Sequence, residues 1–145
     1  MVRRIAWVFV GIGLAIFAGL SFVLLVPDSH LRIPAITAMV TFGAVVISHL
    51  GGIEGGLALR EEAGDESTRA RSLALSIVPT ILAWAVYWLP TAQMQLGACI
   101  AIFLAVWGAD LWLARQGLIP AWFVDLRTAA TGTVCVIFGF ALWLI

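Results

Sequence analysis

Long apolar runs separated by short polar breaks make up nearly the whole chain. A helix needs about 20 apolar residues to cross roughly 30 Å of hydrocarbon. The runs that reach this length cover about residues 5–26, 34–59, 70–89, 93–114 and 121–145. The pattern therefore predicts an all-α integral membrane bundle of five transmembrane helices, forming a single domain over residues 1–145.

Prolines and glycines mark the ends of these runs. Pro27 and Asp28 stop the first run, and Pro34 opens the second, where its missing N–H is not needed. Gly117 is a natural left-handed cap for the fourth run. Pro79 lies inside the third run and removes an internal hydrogen bond, so a kink is predicted there.

The arginines predict an orientation in the membrane. Short loops rich in arginine stay on the cytoplasmic side. The chain has no lysine, and of its eight arginines only Arg32 lies on the opposite side from the rest. We therefore expect a cytoplasmic N-terminus and a C-terminus on the outer side. The interfacial tryptophans agree, with Trp7, Trp112 and Trp122 near the inner interface and Trp88 and Trp143 near the outer one.

Composition and charge exclude several classes of function. With 63% hydrophobic and 11% charged residues, the chain cannot bury its apolar surface in one soluble core. Its net charge is zero and it has no basic face, which argues against nucleic-acid binding. Cys99 and Cys135 lack metal-site or disulfide spacing. No nucleophile–base pair or phosphate-binding loop is present, so neither an enzyme, a metal site nor a cofactor is expected.

The segment from residue 48 to 56 combines glycines with two ionisable residues, His49 and Glu54. Its glycines form two overlapping small-xxx-small pairs, Gly51 with Gly55 and Gly52 with Gly56. Such pairs let helices approach closely in lipid. The alternative is a polar site in which His49 and Glu54 relay a proton or bind a polar group. Counting from the start of the helix, we expect Glu54 near the inner headgroups and His49 deeper, hydrogen-bonded to a neighbouring helix.

A second polar group joins the fourth and fifth spans. It comprises Asp110, Asp125 and Arg127. Arg127 is expected to turn into the bundle and pair with Asp110 or Glu54, fixing the fourth span against the fifth. The alternative is that Arg127 extends to lipid phosphates.

Other small or polar residues recur at helical spacing. The small-residue stripes are Gly11, Ala15 and Gly19; Gly97, Ala101, Ala105 and Ala109; and Thr131, Cys135 and Gly139. They are typical of packing faces, within the bundle or towards a partner protein. Ser72, Ser76 and Thr80 form a polar line on the third span, where a hydroxyl can satisfy the carbonyl that Pro79 frees.

Several motifs together resemble one family. They are Leu50-Gly51-Gly52 with Gly56-Leu57-Ala58-Leu59, Ser76-Ile77-Val78-Pro79 with Ala83-Trp84, Asp110, and Gly117-Leu118-Ile119-Pro120-Ala121-Trp122-Phe123 with Leu126-Arg127. From about residue 40 onward the chain resembles the transmembrane protein 69-like family, also called domain of unknown function 3429. That resemblance implies a small multi-helix protein of the bacterial inner membrane and no established activity. The chain departs from the family pattern after the Gly-Gly pair, where Glu54 and Gly55 replace a basic residue and a tryptophan.

The expected function is that of a non-enzymatic accessory or assembly subunit. Its expected partners are membrane lipids and a larger membrane complex or further copies of the chain. Two alternatives stay open. One is a small transporter or a proton or ion conduit that uses the polar residues at the cytoplasmic ends of the second, fourth and fifth spans. The other is a lipid- or quinone-binding protein with its site beside the kinked third span.

Overall fold

The computed structural model describes residues 1–26, 30–59 and 65–145, and within these ranges the chain is helical, without strands. The helices are α1 (Val2–Val23), α2 (Arg32–Ala58), α3 (Glu66–Leu75), α4 (Val78–Ala85), α5 (Ala92–Arg115) and α6 (Ala121–Leu144), with a 3₁₀ turn at Val86–Trp88. α3, α4 and the 3₁₀ turn together form one span, so five units are long and apolar enough to cross a membrane. The predicted all-α bundle of five spans is confirmed.

The helix ends differ from the predicted ones by a few residues. α1 begins at Val2 and α2 at Arg32, before Pro34, because a helix accepts proline in its first turn. α3 begins at Glu66, four residues before the apolar run at 70–89, because its first turn is polar and a search for apolar residues does not detect it. The predicted stop at Pro27 and Asp28 and the loop segment 60–64 lie outside the described residues.

Asp65 caps the N-terminus of α3. Its carboxylate accepts hydrogen bonds from the hydroxyls of Ser67 and Thr68 and from the Thr68 N–H, at 3.4 Å. Each of these donors stabilises the ionised carboxylate. They lower the pKa of Asp65 to about 2, so this cap stays charged at neutral pH.

The third span is interrupted at Ser76 and Ile77, just before Pro79. Pro79 sits in the first turn of α4, where it has no N–H to donate to the carbonyl one turn earlier. The helix is therefore interrupted next to the position at which the kink is predicted. The Ser76 hydroxyl donates to the carbonyl of Leu73 at 2.7 Å, rather than to the one that Pro79 frees.

A tight glycine turn reverses the chain between α5 and α6. Gly117 has φ 73°, a left-handed conformation that glycine adopts without strain. The N–H of Leu118 donates to the Leu113 carbonyl at 3.1 Å and that of Gly117 to the Ala114 carbonyl at 2.9 Å. These two bonds form a Schellman motif, so the predicted left-handed cap at Gly117 is confirmed.

α2 is the central helix of the bundle. It packs against α1, α3, α4 and α5, while α6 packs against α1 and α5. Phenylalanines fill the middle of the molecule: the ring centroid of Phe17 lies 4.9 Å from that of Phe42 and 5.2 Å from that of Phe138. Phe103 adds a further ring 6.2 Å from Phe138. These aromatic pairs join α1, α2, α5 and α6 around one cluster.

Polar contacts tie the helices together at both ends of the bundle. At one end Arg69 of α3 donates from Nε to the Ala58 carbonyl of α2 at 3.1 Å. We call this the arginine-rich end, where α2 and α5 finish and α1, α3 and α6 begin. At the opposite end Arg32 donates to the Leu144 carbonyl. Arg32, the one described arginine on that side, thus satisfies a carbonyl in the last turn of α6.

Two of the four clustered glycines bring α2 against the third span. A Cβ added to Gly51 would lie 2.5 Å from the carbonyl oxygen of Ser76, and one added to Gly55 would lie 2.9 Å from its Oγ. A Cβ on Gly52 or Gly56 would meet nothing within 4 Å. Only the Gly51/Gly55 pair therefore serves close packing within the bundle, and the predicted role of the Gly52/Gly56 pair in that packing is wrong.

This difference predicts opposite effects of the same substitution at adjacent positions. Gly51→Ala should lower the free energy of unfolding by about 1–3 kcal/mol, because the new methyl group displaces the Ser76 backbone. Gly52→Ala should leave it unchanged or raise it by up to about 1 kcal/mol, because alanine favours helix and the space is open. Unfolding of both variants in the same detergent measures the pair, and equal stabilities would contradict the packing described.

Candidate functional site

A buried ion pair joins α5 to α6. The Nε of Arg127 lies 2.5 Å from Oδ2 of Asp110, and the two side chains are 7% and 4% exposed. The pair forms because the Gly117 turn folds the start of α6 back along the end of α5. Arg127 thus turns into the bundle and pairs with Asp110, as the sequence predicts, and does not extend to lipid phosphates, which was the alternative.

Glu54 of α2 lies close to this pair without joining it. It interacts electrostatically with both Asp110 and Arg127, yet no ion pair within 4.0 Å links it to a described residue. Its side chain is 7% exposed, and its Oε1 has no hydrogen-bond partner among the described residues. The sequence predicts Glu54 at the headgroup level, where water would solvate its carboxylate. In the structure the side chain is instead buried between helices.

A small cavity borders Glu54 on the side of α3. Its volume is about 10 Å³, and its lining includes Glu54, Ser72 of α3 and Arg69. Ser72 is 8% exposed and its Oγ, like Oε1 of Glu54, has no partner among the described residues. The cavity lies at the arginine-rich end, where Ala58 ends α2 and Ile119 follows the Gly117 turn.

A much larger apolar groove lies on the other side of α2. Its volume is about 470 Å³, and α1, α2 and α6 form its walls with Phe103 of α5. On each wall the lining residues extend about 16 Å at about 1.5 Å per residue. They run from Ala6 to Phe17 on α1, from Ile53 to Phe42 on α2 and from Phe123 to Val134 on α6. The groove is therefore about half as long as a hydrocarbon layer of roughly 30 Å is thick. The phenylalanine cluster lies at the end of the groove that is farther from the arginine-rich end.

Three polar side chains line this otherwise apolar groove: His49, Arg127 and Thr131. Arg127 uses Nε for Asp110, and no described residue accepts a hydrogen bond from its two Nη groups. His49 is exposed towards the groove and lacks the expected hydrogen bond to a neighbouring helix, as far as the described residues show. Thr131 is 4% exposed, and its hydroxyl likewise has no hydrogen-bond partner among the described residues. The groove thus offers hydrogen-bond donors beside a long apolar surface.

The structure does not gather the predicted polar residues into one site. His49 and Arg127 face the groove, Glu54 faces the small cavity, and Asp110 connects to both through Arg127. Asp125 is exposed on α6 and belongs to neither. The groove also lies away from the third span, beside which the sequence analysis expects a lipid or quinone. Among the described residues no three His, Cys, Asp or Glu side chains are grouped to hold a metal ion.

Two of the small-residue stripes lie on the surface of the bundle. Gly11, Ala15 and Gly19 of α1 are exposed, and so are Ala101 and Ala105 of α5. In the third stripe only Thr131 is buried, while Gly139 is exposed. The sequence could not reveal the groove, because its walls come from three helices whose lining residues follow no shared spacing.

Comparison with known proteins gives a family and no activity. A family model described as protein of unknown function (DUF3429) matches residues 2–143. The match confirms membership of the DUF3429 family and extends it to the first span, while the transmembrane protein 69-like designation stays a resemblance. No curated protein and no solved structure matches the chain.

The ion pair predicts a non-additive pair of substitutions. Arg127→Met should lower the free energy of unfolding by about 3–5 kcal/mol, because it leaves the Asp110 carboxylate buried without a partner. Adding Asp110→Leu should restore most of that loss, because the buried charge is then removed as well.

Thermal melting of both variants in detergent measures this effect. Arg115→Met, at the exposed end of α5, is the matched control and should melt like the unsubstituted protein. An unchanged melting point for Arg127→Met, or a double variant no more stable than the single one, would contradict the pair's role.

Proposed function

The chain belongs to the DUF3429 family, and we propose that it is a non-enzymatic membrane protein that binds an amphiphilic molecule in the groove between α1, α2 and α6. The observation that carries this proposal is the Arg127 side chain, which lines the groove and whose Nη groups have no acceptor among the described residues. A guanidinium has five N–H donors, and burying it is favourable only when acceptors bind them. An oxygen-bearing head group is the chemistry that supplies them.

The dimensions of the groove specify the rest of the ligand. A volume of about 470 Å³ falls within the range of about 300–1,000 Å³ typical of small-molecule sites. Its length of about 16 Å corresponds to one leaflet of the bilayer. The ligand therefore has an apolar chain that ends near the phenylalanine cluster and a head group that accepts hydrogen bonds from Arg127 and His49. An isoprenoid quinone and an anionic lipid both have these properties, and the bacterial inner membrane is the expected location.

Two glycines of α1 allow this proposal to be tested with identical substitutions. A side chain added at Gly13 would enter the groove, whereas Gly11 lies outside it, and a Cβ at either position would meet nothing within 4 Å. Gly13→Phe should reduce the co-purified amphiphile to background, because the ring fills the groove. Gly11→Phe should retain it.

The measurement is organic extraction of protein purified in mild detergent, followed by mass spectrometry. This identifies a quinone or a lipid directly. Recovery of one defined species from the unsubstituted protein and from Gly11→Phe, but not from Gly13→Phe, supports the groove. Equal recovery from both variants, or only the average lipid composition of the membrane, would refute it.

A second candidate is an accessory subunit of a larger membrane complex. The specific observation in its favour is the exposed stripe of Gly11, Ala15 and Gly19, which no helix of the bundle covers. Small residues let a neighbouring helix approach closely in lipid, where apolar side chains alone give no drive for association. The accessory role and the groove are compatible, because the stripe and the groove use different residues of α1.

This candidate predicts a change in assembly without a change in fold. Ala15→Phe should release the protein from a larger complex when native membranes are gently solubilised and separated by size, because the ring blocks close approach of a partner helix. Val136→Phe, at an exposed position of α6, should not. Migration of the unsubstituted protein only as a small isolated species would exclude this candidate.

A further inference from the structure

Two buried oxygen atoms without a hydrogen-bond partner among the described residues belong to residues that line the same small cavity between α2, α3 and α5. They are Glu54 Oε1 and Ser72 Oγ. An unsatisfied polar group in a low-dielectric interior is unfavourable. Two such groups at the same cavity indicate a shared partner rather than two independent defects.

The size of the cavity identifies that partner. About 10–15 Å³ of this kind of volume accommodates one water molecule, and a buried water makes about three hydrogen bonds. The cavity measures about 10 Å³. Glu54 and Ser72 supply two of the three bonds, and the guanidinium of Arg69, which also lines the cavity, is positioned to supply the third. The same cationic group disfavours a metal ion there.

The charges around Glu54 determine what the water does. Asp110 of α5 and Glu54 of α2 share one nearby guanidinium, that of Arg127 on α6, and Arg127 is already bonded to Asp110. Arg69 of α3 directs its Nε to the Ala58 carbonyl. An ionised Glu54 would therefore be a buried carboxylate with no bonded cation among the described residues, a state of high free energy. A proton removes that charge, and the water next to the arginine-rich end connects it to the surface.

We propose that Glu54 is a proton-binding site, served by one water molecule that Glu54 and Ser72 hold between α2, α3 and α5. The proton binds the Glu54 carboxylate and neutralises it, and the Asp110–Arg127 pair stays intact in both protonation states. Glu54 and Ser72 do not line the groove, so this proposal does not rest on the binding of an amphiphile.

Infrared difference spectroscopy of the full chain in lipid nanodiscs tests the proposal. Spectra recorded at acidic and alkaline pH should contain a titrating C=O band of a buried protonated carboxyl group, at a higher frequency than the bands of the exposed carboxyl groups, which titrate as well. Glu54→Gln should abolish that band. Ser72→Ala should shift its frequency, because the shared water loses one of its partners, while Ser76→Ala, one helical turn further on with its hydroxyl bonded to Leu73, should not.

In case Glu54→Gln does not fold, labelling with carboxyl-¹³C glutamate separates glutamate bands from aspartate bands without any substitution, and the response to Ser72→Ala then distinguishes Glu54 from Glu61, Glu62 and Glu66. The label shifts a glutamate band and leaves an Asp110 band in place. A titrating band that the label does not move, the absence of any titrating band, or a Glu54 band indifferent to Ser72→Ala would each overturn the proposal.

Discussion

The ion pair between Asp110 and Arg127 determines how the polar chemistry of this bundle is arranged. A charged arginine in a hydrocarbon environment is tolerated when it turns inward and finds a partner. Asp110 is that partner: its Oδ2 accepts a hydrogen bond from the Nε of Arg127 at 2.5 Å. Arg127 also lines the groove, where its remaining N–H groups have no acceptor among the described residues. Glu54 is left without a bonded cation among the same residues. This one contact thus leaves a polar group without a partner at each of two cavities, which lie on opposite sides of α2.

These two cavities differ in the chemistry they permit. The groove is long, mostly apolar and open along its side, which suits a molecule that enters from the bilayer. The cavity at Ser72 is much smaller and has the size of one water molecule. Arg127 lines the groove and interacts electrostatically with Glu54. A charge on Glu54 therefore changes the electrostatic potential at Arg127. Arg127 is therefore the residue through which the two sites would influence each other.

Local signals in the sequence predicted local features well. The apolar runs gave the five spans, Pro79 the interruption and Gly117 the left-handed cap, because each depends on backbone chemistry within a few residues. The burial of Glu54 was not predicted, since it depends on how α3 and α5 close around the end of α2. Nor can spacing along one helix distinguish Gly51, which contacts Ser76, from Gly52, which faces outward: both lie at suitable positions, and only the direction of the neighbouring helix separates them.

The turn at Gly117 also bears on how the chain enters the membrane. Asp110 and Arg127 lie on either side of it, so α5 and α6 form a helical hairpin that contains both charges. Inserted separately, each charged residue at a helix centre would cost about 2.5–3.5 kcal/mol on biological insertion scales. Inserted as one hairpin, the two helices carry a neutral pair past the interface. Because the tight turn holds Asp110 and Arg127 in one hairpin, we expect the last two spans to enter the membrane together.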